Sequence, residues 1–132
     1  MVAAIRSRSW SAVSALIASS KVDVNHQGDD CWTALMEMAN LATGASFPTG
    51  LFKELIAKSG KKGINLQNED ENTALMLACD MGNEPAIKAL LESEGIDIYL
   101  TNNDKKTAKE LVRKKEIKEL FEQKEREIQS RT

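Results

Sequence analysis

The sequence is poor in the residues from which most catalytic and metal sites are built. It contains one histidine, His26, and two cysteines, Cys31 and Cys79, with no CxxC pair and no cluster of cysteine with histidine. Two isolated cysteines argue against a disulfide framework and a zinc site, and they favour a reducing compartment. Because no nucleophile has a base beside it in a recognisable motif, we predict a non-catalytic protein without metal or cofactor.

Long apolar runs and phosphate-binding loops are absent as well. The hydrophobic stretches are far too short to span a membrane, and the opening MVAAIRSRSW has no apolar segment of signal-peptide length. The stretch TGASFPTG has two glycines but no lysine at the offset that a phosphate loop requires. We expect a soluble intracellular protein, cytoplasmic in the first instance, with nuclear location or delivery into a host cell left open. No membrane and no small-molecule substrate is expected as a partner.

A large excess of one charge is also missing, since the formal net charge is −2. Residues 1–99 carry 8 Lys/Arg against 13 Asp/Glu (net −5), whereas residues 100–132 carry 10 against 7 (net +3). Glutamates separate the C-terminal basic residues, which predicts ion pairs along a solvated helix rather than a nucleic-acid-binding surface. The acidic runs DDC and NEDEN lack the spacing of a calcium loop, so we expect solvated acidic turns and no metal site.

The chain does contain an internal repeat. The tetrapeptide TALM occurs at 33–36 and 73–76, and INLQNEDENTALM (64–76) aligns without a gap over VNHQGDDCWTALM (24–36). The segment IYLTNNDKKTAKEL (98–111) is a third, weaker copy. In each copy a threonine lies nine positions after a branched apolar residue, and its hydroxyl can cap a following helix.

A second pattern repeats upstream of these segments: an apolar residue is followed three and four positions later by two more, which places them on one helix face. We predict four units, at about 1–24, 25–64, 65–98 and 99–121, in a single domain of residues 1–128, with the last helix extended to about 128 and a frayed tail at 129–132. The apolar triplets are Val13/Leu16/Ile17, Phe52/Leu55/Ile56, Ile87/Leu90/Leu91 and Ile117/Leu120/Phe121.

Helix, turn, helix and a turn-rich connector, at spacings of 40 and 34 residues, resemble the ankyrin repeat. The resemblance implies an all-α fold, a short ankyrin-repeat solenoid of helix-turn-helix units with finger-like connectors and a truncated fourth unit. It is strongest in residues 68–98. The residues there that match the ankyrin pattern are Thr73, Leu75, Ala78, Gly82, Ile87, Leu90, Leu91, Gly95, Asp97 and Ile98.

Three departures from the ankyrin pattern have structural consequences. The pattern's proline and histidine are replaced by alanine and methionine in both TALM copies, which predicts less rigid ties between units. The second unit has a longer inter-helix segment, NLATGASFPTGLF (40–52), which predicts a surface loop. The glycine two residues before each threonine is also replaced, and a non-glycine residue is strained there if the turn requires positive φ. The replacing residues are Cys31, Glu71 and Lys105.

The resemblance also implies a binding surface, because ankyrin connectors project as fingers beside a concave face that the first helices of the units line. We expect Trp32 to anchor another protein, which presents a basic or amphipathic segment, and the acids to steer it; that Trp32 folds back onto its finger is the alternative. The predicted finger positions are Asp29, Asp30, Trp32, Glu69, Asp70, Asn72, Asn103, Asp104 and Lys106. The predicted exposed helix positions are Glu37, Asn40, Leu41, Leu77, Asp80 and Met81.

A second hypothesis concerns the C-terminal helix. Its apolar seam of Ile117, Phe121, Lys124 and Ile128 is a candidate surface for helix pairing. The chain would then be a structural or regulatory segment of a larger complex rather than an adaptor, regulator or effector that binds through its fingers.

Overall fold

The computed structural model describes residues 1–41 and 47–130. Within these ranges the chain forms eight α-helices and no strand, which confirms the all-α fold. Of the predicted loop at 40–52, residues 42–46 lie outside the described part, as do 131–132 of the predicted tail. The helices are α1 (Val2–Arg6), α2 (Trp10–Ala18), α3 (Ala34–Ala39), α4 (Thr49–Ile64), α5 (Ala74–Met81), α6 (Glu84–Leu91), α7 (Ala108–Leu111) and α8 (Lys115–Ser130).

The helices stack in two layers. In the inner layer, helices α1, α3, α5 and α7 contact one another in that order. In the outer layer, helices α2, α4, α6 and α8 do the same. Contacts also join α1 to α2, α3 to α4 and α5 to α6, so each unit contributes one helix to each layer. This is the geometry of a solenoid, in which each unit contacts mainly its neighbours.

Apolar side chains at helical spacing form the core between the layers. Phe52 and Leu55 of α4 and Ile87 and Leu90 of α6 are fully buried, as the i, i+3 pattern predicts. The leucine and methionine of both TALM copies are buried on the inner helices, which begin directly after Thr33 and Thr73. The repeated tetrapeptide is therefore part of the core.

Threonine caps start these inner helices. Thr33 Oγ1 accepts a hydrogen bond from the N–H of Met36, and Thr73 Oγ1 accepts one from the N–H of Met76, both over 3.2 Å. The caps predicted at Thr33 and Thr73 are thus confirmed. At Thr107 the N–H and the hydroxyl instead both donate to Glu110 Oε1, each over 3.2 Å. Met76 Sδ also accepts from the Thr73 N–H over 3.4 Å, a weak bond at the position where the ankyrin pattern has histidine.

The three replaced glycine positions all adopt the left-handed conformation. The φ angles are 63° at Cys31, 60° at Glu71 and 61° at Lys105. The turns therefore keep the geometry that glycine would adopt freely, although each residue carries a side chain. A left-handed L-residue costs roughly 1–2 kcal/mol, so the connectors store strain at three equivalent places.

Asn83 is a buried polar tie between units that the sequence patterns do not identify. Its Oδ1 accepts from the N–H of Ala86 at the start of α6, and its Nδ2 donates to the carbonyl oxygens of Ala39 and Leu41, each over 3.3 Å. The side chain is fully buried. One residue thus caps α6 and binds the end of α3 in the preceding unit.

The C-terminal helix packs against the body of the same chain. Ile117 and Phe121 are buried, the side chain of Lys124 is 11% exposed, and Ile128 packs against the core. Lys109 Nζ binds Glu125 Oε1 over 2.8 Å, which also ties α8 to α7. The seam considered for pairing with another chain is therefore already covered within this one.

Candidate functional site

Three connectors project from the stack, and we call them finger 1 (24–33), finger 2 (64–73) and finger 3 (98–107). Each ends in a turn that two main-chain hydrogen bonds close, one of them from the N–H of the fourth turn residue to the carbonyl oxygen of the first over 2.9 Å. The N–H of the first turn residue donates to the carbonyl oxygen four residues later, over 3.0, 3.0 and 3.1 Å. The donor and acceptor residues are Gly28 and Trp32, Asn68 and Asn72, and Asn102 and Lys106.

Main-chain hydrogen bonds join neighbouring fingers. The N–H of Glu69 donates to the carbonyl oxygen of Asp30, and the N–H of Asn103 donates to that of Asp70, both over 3.0 Å. Asn103 Nδ2 also donates to the Glu69 carbonyl over 3.2 Å. The fingertips therefore form one ladder, in which a predicted contact residue of each finger lies beside one of the next.

Two glutamines strengthen this ladder below the tips. Gln27 Nε2 donates to the carbonyl oxygens of Cys31 and Gln67, each over 3.0 Å. Gln67 occupies the same position one finger later, and its Nε2 donates to Glu71 and Thr101 over 2.8 and 3.0 Å. Both side chains bond their own finger and the next one, which fixes the spacing of the tips.

An asparagine holds the turn of finger 2 from inside. Asn68 Oδ1 accepts from the N–H groups of Asp70 and Asn72, each over 3.0 Å. Finger 1 has Gly28 at this position, and glycine has no side chain to make these bonds. Asp30 of finger 1 adopts a positive φ of 59°, beside the positive φ of Cys31. Finger 1 therefore has two successive left-handed residues in its turn.

The side-chain amides of Asn68 in finger 2 and Asn102 in finger 3 differ in the hydrogen bond that Nδ2 donates. Asn102 Nδ2 of finger 3 donates to Asn72 Oδ1 of finger 2 over 3.0 Å. By the same repeat, Asn68 Nδ2 should donate to residue 32 of finger 1, but that residue is Trp32, whose indole has only an N–H donor. Asn68 is 4% exposed, and no group in the described ranges accepts from its Nδ2.

Negative charge concentrates where fingers 1 and 2 meet. Asp29, Asp30, Glu69 and Asp70 are all exposed there. The negative charge of Asp30 is the main cause that raises the pKa of Glu69 above its ordinary value, and Asp70 adds to it. The ladder thus holds carboxylates closer than they would lie without it, and a cation placed between them would relieve the repulsion.

Trp32 lies beside these acids and is half-buried, packed partly against the core. Asn72 of finger 2 is half-buried, whereas Asn103, Asp104 and Lys106 of finger 3 are exposed. The structure therefore brings the predicted finger residues together along one ladder, with the aromatic residue at its finger 1 end.

The helix positions are less uniform than predicted. The side chain of Glu37 is 11% exposed, because Arg6 Nη2 binds its carboxylate over 2.9 Å. Asp80 and Met81 are exposed, and Arg113 Nη2 lies 3.6 Å from Asp80 Oδ1. Both lie at the far end of α5, about 10 Å along the axis from its start beside finger 2.

The prediction that Leu77 is exposed is wrong, since it is 8% exposed. Helix α5 lies between α3 and α7, which cover it on both flanks. Asn40 and Leu41 at the end of α3 are half-buried, and the Leu41 carbonyl accepts from Asn83. The helix positions therefore do not form a continuous surface with the fingertips.

Outside the fingertips and helix ends, the cysteines, the metal-ligand residues, the helix hydropathy and one surface groove bear on function. Burial raises the pKa of the Cys79 thiol, whereas Cys31 is exposed in finger 1. The described residues contain no group of three or more His, Cys, Asp or Glu that could hold a metal ion. None of the helices in residues 1–41 and 47–130 has both the length and the hydropathy needed to cross a bilayer. The outer layer has an open groove of about 400 Å³ between α4 and α6, lined in part by Lys53, Pro85 and Lys88.

Comparison with known proteins gives one family. A family model described as ankyrin repeats (3 copies) matches residues 1–102 and, in a second overlapping match, residues 41–120. Together the two matches cover all three fingers and helices α1–α7. No curated protein matches the chain.

Proposed function

The chain belongs to the ankyrin-repeat family, whose members are generally protein–protein interaction modules, and from that premise we propose that it binds another protein through fingers 1 and 2. The bound part of the partner is a basic or amphipathic segment. The module is non-catalytic and acts as an adaptor, regulator or effector in a reducing, intracellular compartment, cytoplasmic in the first instance.

The observation that carries this proposal is the pair of carboxylates at Asp30 and Glu69. The main-chain bond between these residues holds two negative side chains together, and their repulsion raises the pKa of Glu69. Such an arrangement does not stabilise the fold. A lysine or arginine of a partner would bind there and remove the repulsion, so the fingertips favour a cationic segment.

Trp32 supplies the apolar part of the same site. Tryptophan is the residue type most enriched among interface residues that dominate binding, and its ring offers a large contact area. In the repeat it stands where Asn72 accepts from Asn102, and Asn68 Nδ2 makes no hydrogen bond in the described ranges, which costs roughly 1–3 kcal/mol for a buried donor. A residue that lowers stability at an exposed edge is best explained by a function in recognition.

The proposed site is centred on Asp29, Asp30, Trp32, Glu69 and Asp70, with Asn72 between fingers 2 and 3. Asn103, Asp104 and Lys106 form its rim on finger 3. Glu37 already binds Arg6 and Leu77 is buried, so neither belongs to the centre. The half-buried and exposed ends of α3 and α5 are secondary contacts for a longer partner; they are Asn40, Leu41, Asp80 and Met81.

The second hypothesis, pairing through the C-terminal helix, loses its main support. It required a free apolar seam on α8, whereas Phe121 is 1% exposed and Lys124 is nearly covered. A partner that displaced α8 would have to replace contacts that the chain already makes with itself. Binding at the fingers displaces no helix.

Selection from a library of random dodecapeptides on the purified chain tests this function. We expect enrichment of Lys or Arg beside apolar residues, and affinity that falls as salt is added. The double variant Asp30→Asn/Glu69→Gln should bind the selected peptide about tenfold more weakly or worse. Asparagine is chosen at position 30 because it tolerates positive φ.

The matched control removes two exposed carboxylates from the outer layer instead, in Glu54→Gln/Glu119→Gln. The net charge changes equally in the two double variants, so a general charge effect would weaken both to the same extent. Equal affinities for the two double variants would refute binding at the fingertips.

A further inference from the structure

Within the described part of the chain, only the oxygen of the Asn68 side-chain amide makes hydrogen bonds. Its Oδ1 accepts from two N–H groups of its own turn, which also settles the orientation of the amide, because the opposite orientation would set its NH₂ group against two donors. Its Nδ2 makes no hydrogen bond within the described ranges, although the residue is 4% exposed. Most buried polar groups in proteins have a partner, so this donor needs an explanation.

The next finger shows what the missing partner should look like. Asn102 has the same two bonds from its Oδ1, and its Nδ2 donates to Asn72 Oδ1 over 3.0 Å. The equivalent acceptor for Asn68 would come from residue 32. The residue at that repeat position is Trp32, whose indole has no acceptor. The ladder is therefore complete between fingers 2 and 3 and lacks one acceptor between fingers 1 and 2.

We propose that Asn68 Nδ2 is a recognition donor, which binds a main-chain carbonyl oxygen of the bound segment when the Trp32 side chain moves from the ladder onto the partner. This inference rests on the function proposed above and adds its specificity-determining contact. The partner supplies the acceptor that residue 32 does not, and Trp32 exchanges its half-buried position for a contact with the partner.

The surroundings select the kind of acceptor. Asp30, Glu69 and Asp70 lie around the same point of the ladder, so a carboxylate or phosphate acceptor would be repelled. A peptide carbonyl is neutral, and a lysine or arginine beside it can reach the acids. One residue of a basic segment therefore supplies both the acceptor and the cation.

The build of finger 1 allows the movement. Gly28 has no side chain to hold the turn, whereas Asn68 holds the turn of finger 2 by two hydrogen bonds. Asp30 and Cys31 are both left-handed, which stores strain in the turn that carries Trp32. Because Trp32 is half-buried and packs only partly against the core, its side chain gives up fewer contacts on moving than a fully buried residue would.

The variant Asn68→Asp tests the Nδ2 donor alone, because it removes this donor and leaves the hydrogen bonds that hold the turn. It exchanges Nδ2 for an oxygen and keeps the acceptor for the N–H groups of Asp70 and Asn72. It also adds a negative charge, which by itself would strengthen binding of the selected basic dodecapeptide. If Asn68 is a recognition donor, affinity falls instead, by about fivefold or more.

The matched control is Asn102→Asp. Its lost donor is already used inside the chain, by Asn72 Oδ1. We expect this variant to unfold at lower urea concentration and to bind the peptide within about twofold of the wild type. Urea unfolding of both variants shows whether each one folds.

NMR of the wild-type chain tests the same donor without relying on a variant that must fold. The two side-chain N–H signals of Asn68 in a ¹⁵N-correlated NMR spectrum should move when the dodecapeptide is added. Replacing peptide amides by esters one at a time weakens the carbonyl acceptors in turn. One such ester should weaken binding to the wild type and leave binding to Asn68→Asp unchanged.

The inference is overturned if Asn68→Asp binds as tightly as the wild type or more tightly, or if the Asn68 signals stay in place. Failure of the function itself gives a different result, since Asp30→Asn/Glu69→Gln and Trp32→Ala would then bind as the wild type does. Loss of affinity in those variants together with full affinity in Asn68→Asp would refute the donor role alone.

Discussion

The N–H of Glu69 donates to the carbonyl oxygen of Asp30 over 3.0 Å, so the bond that joins fingers 1 and 2 also holds two carboxylates together. The charge of Asp30 raises the pKa of Glu69 for this reason. The fingertips therefore combine a rigid main chain with unfavourable side-chain electrostatics. The main chain of the fingertips is held in place before a cationic partner arrives, which lowers the entropic cost of binding, while the Trp32 side chain stays free to move.

The first prediction concerns stability against pH. Because the pKa of Glu69 is higher in the folded chain than in the unfolded chain, the folded chain binds more protons in the window between the two values. The free energy of unfolding contributed by this group must fall as pH rises through that window. Glu69→Gln removes the contribution, so its advantage over the wild type should grow from acid to neutral pH in urea unfolding experiments.

Glu54→Gln on α4 is the control for that series. It removes a carboxylate far from the fingers and should leave the pH dependence as in the wild type. Parallel curves for Glu69→Gln and the wild type would contradict the account of the carboxylate pair.

The second prediction concerns residue 32. Trp32→Asn restores an acceptor at the position where Asn72 accepts from Asn102. Trp32→Ala loses the same ring contacts without restoring it. We expect Trp32→Asn to be more stable than Trp32→Ala by about 1 kcal/mol in urea unfolding, because only the former satisfies Asn68 Nδ2.

Both variants at position 32 should lose the selected peptide, with affinities reduced about tenfold or more. Equal stabilities of the asparagine and alanine variants would show that residue 32 does not face the Asn68 amide. Retained affinity in both would remove Trp32 from the site.

The third prediction concerns strain in the connectors. Glu71 has a φ of 60°, which glycine adopts without the clash of a Cβ. Glu71→Gly should therefore stabilise the chain by about 0.5–1 kcal/mol, the relief of strain being partly offset by the greater freedom of glycine in the unfolded chain. Glu71→Ala keeps the Cβ and removes the same charge, so it should give no such gain.

Much of the fold follows from the sequence because the repeat makes local signals agree. The capping threonines Thr33 and Thr73, the buried TALM residues and the apolar triplets each recur at matching positions, and each is decided by neighbours within one unit. The positions of the left-handed residues follow from the sequence as well, because each lies two residues before a repeat threonine, where the ankyrin pattern has glycine.

Features that depend on how units meet were harder to predict. Leu77 is buried because α3 and α7 flank α5, which no pattern within its own helix reveals. The unpaired Nδ2 of Asn68 depends on the register between two fingers. The alignment of Asn72 with Trp32 is visible in the repeat. Only the hydrogen bond from Asn102 to Asn72, however, shows that the residue at this position serves as an acceptor for the next finger.

The fourth prediction concerns the C-terminal helix. Phe121 is 1% exposed, so Phe121→Ala should destabilise the chain by about 3–5 kcal/mol in urea unfolding. Glu119→Ala on the exposed face of α8 is its control and should change stability by less than about 0.5 kcal/mol. Since the seam is covered, sedimentation should show a monomer over the whole concentration range; association that Phe121→Ala abolishes would restore the pairing hypothesis.

The most direct test of recognition at the fingers is the footprint of the selected dodecapeptide in ¹⁵N-correlated NMR spectra of the chain. The account predicts the largest shifts at the Trp32 indole N–H and at the main-chain N–H groups of 29–32 and 69–72. The outer groove beside Lys53 and Lys88 should stay unchanged. Shifts concentrated in that groove, with the two fingers unperturbed, would contradict it.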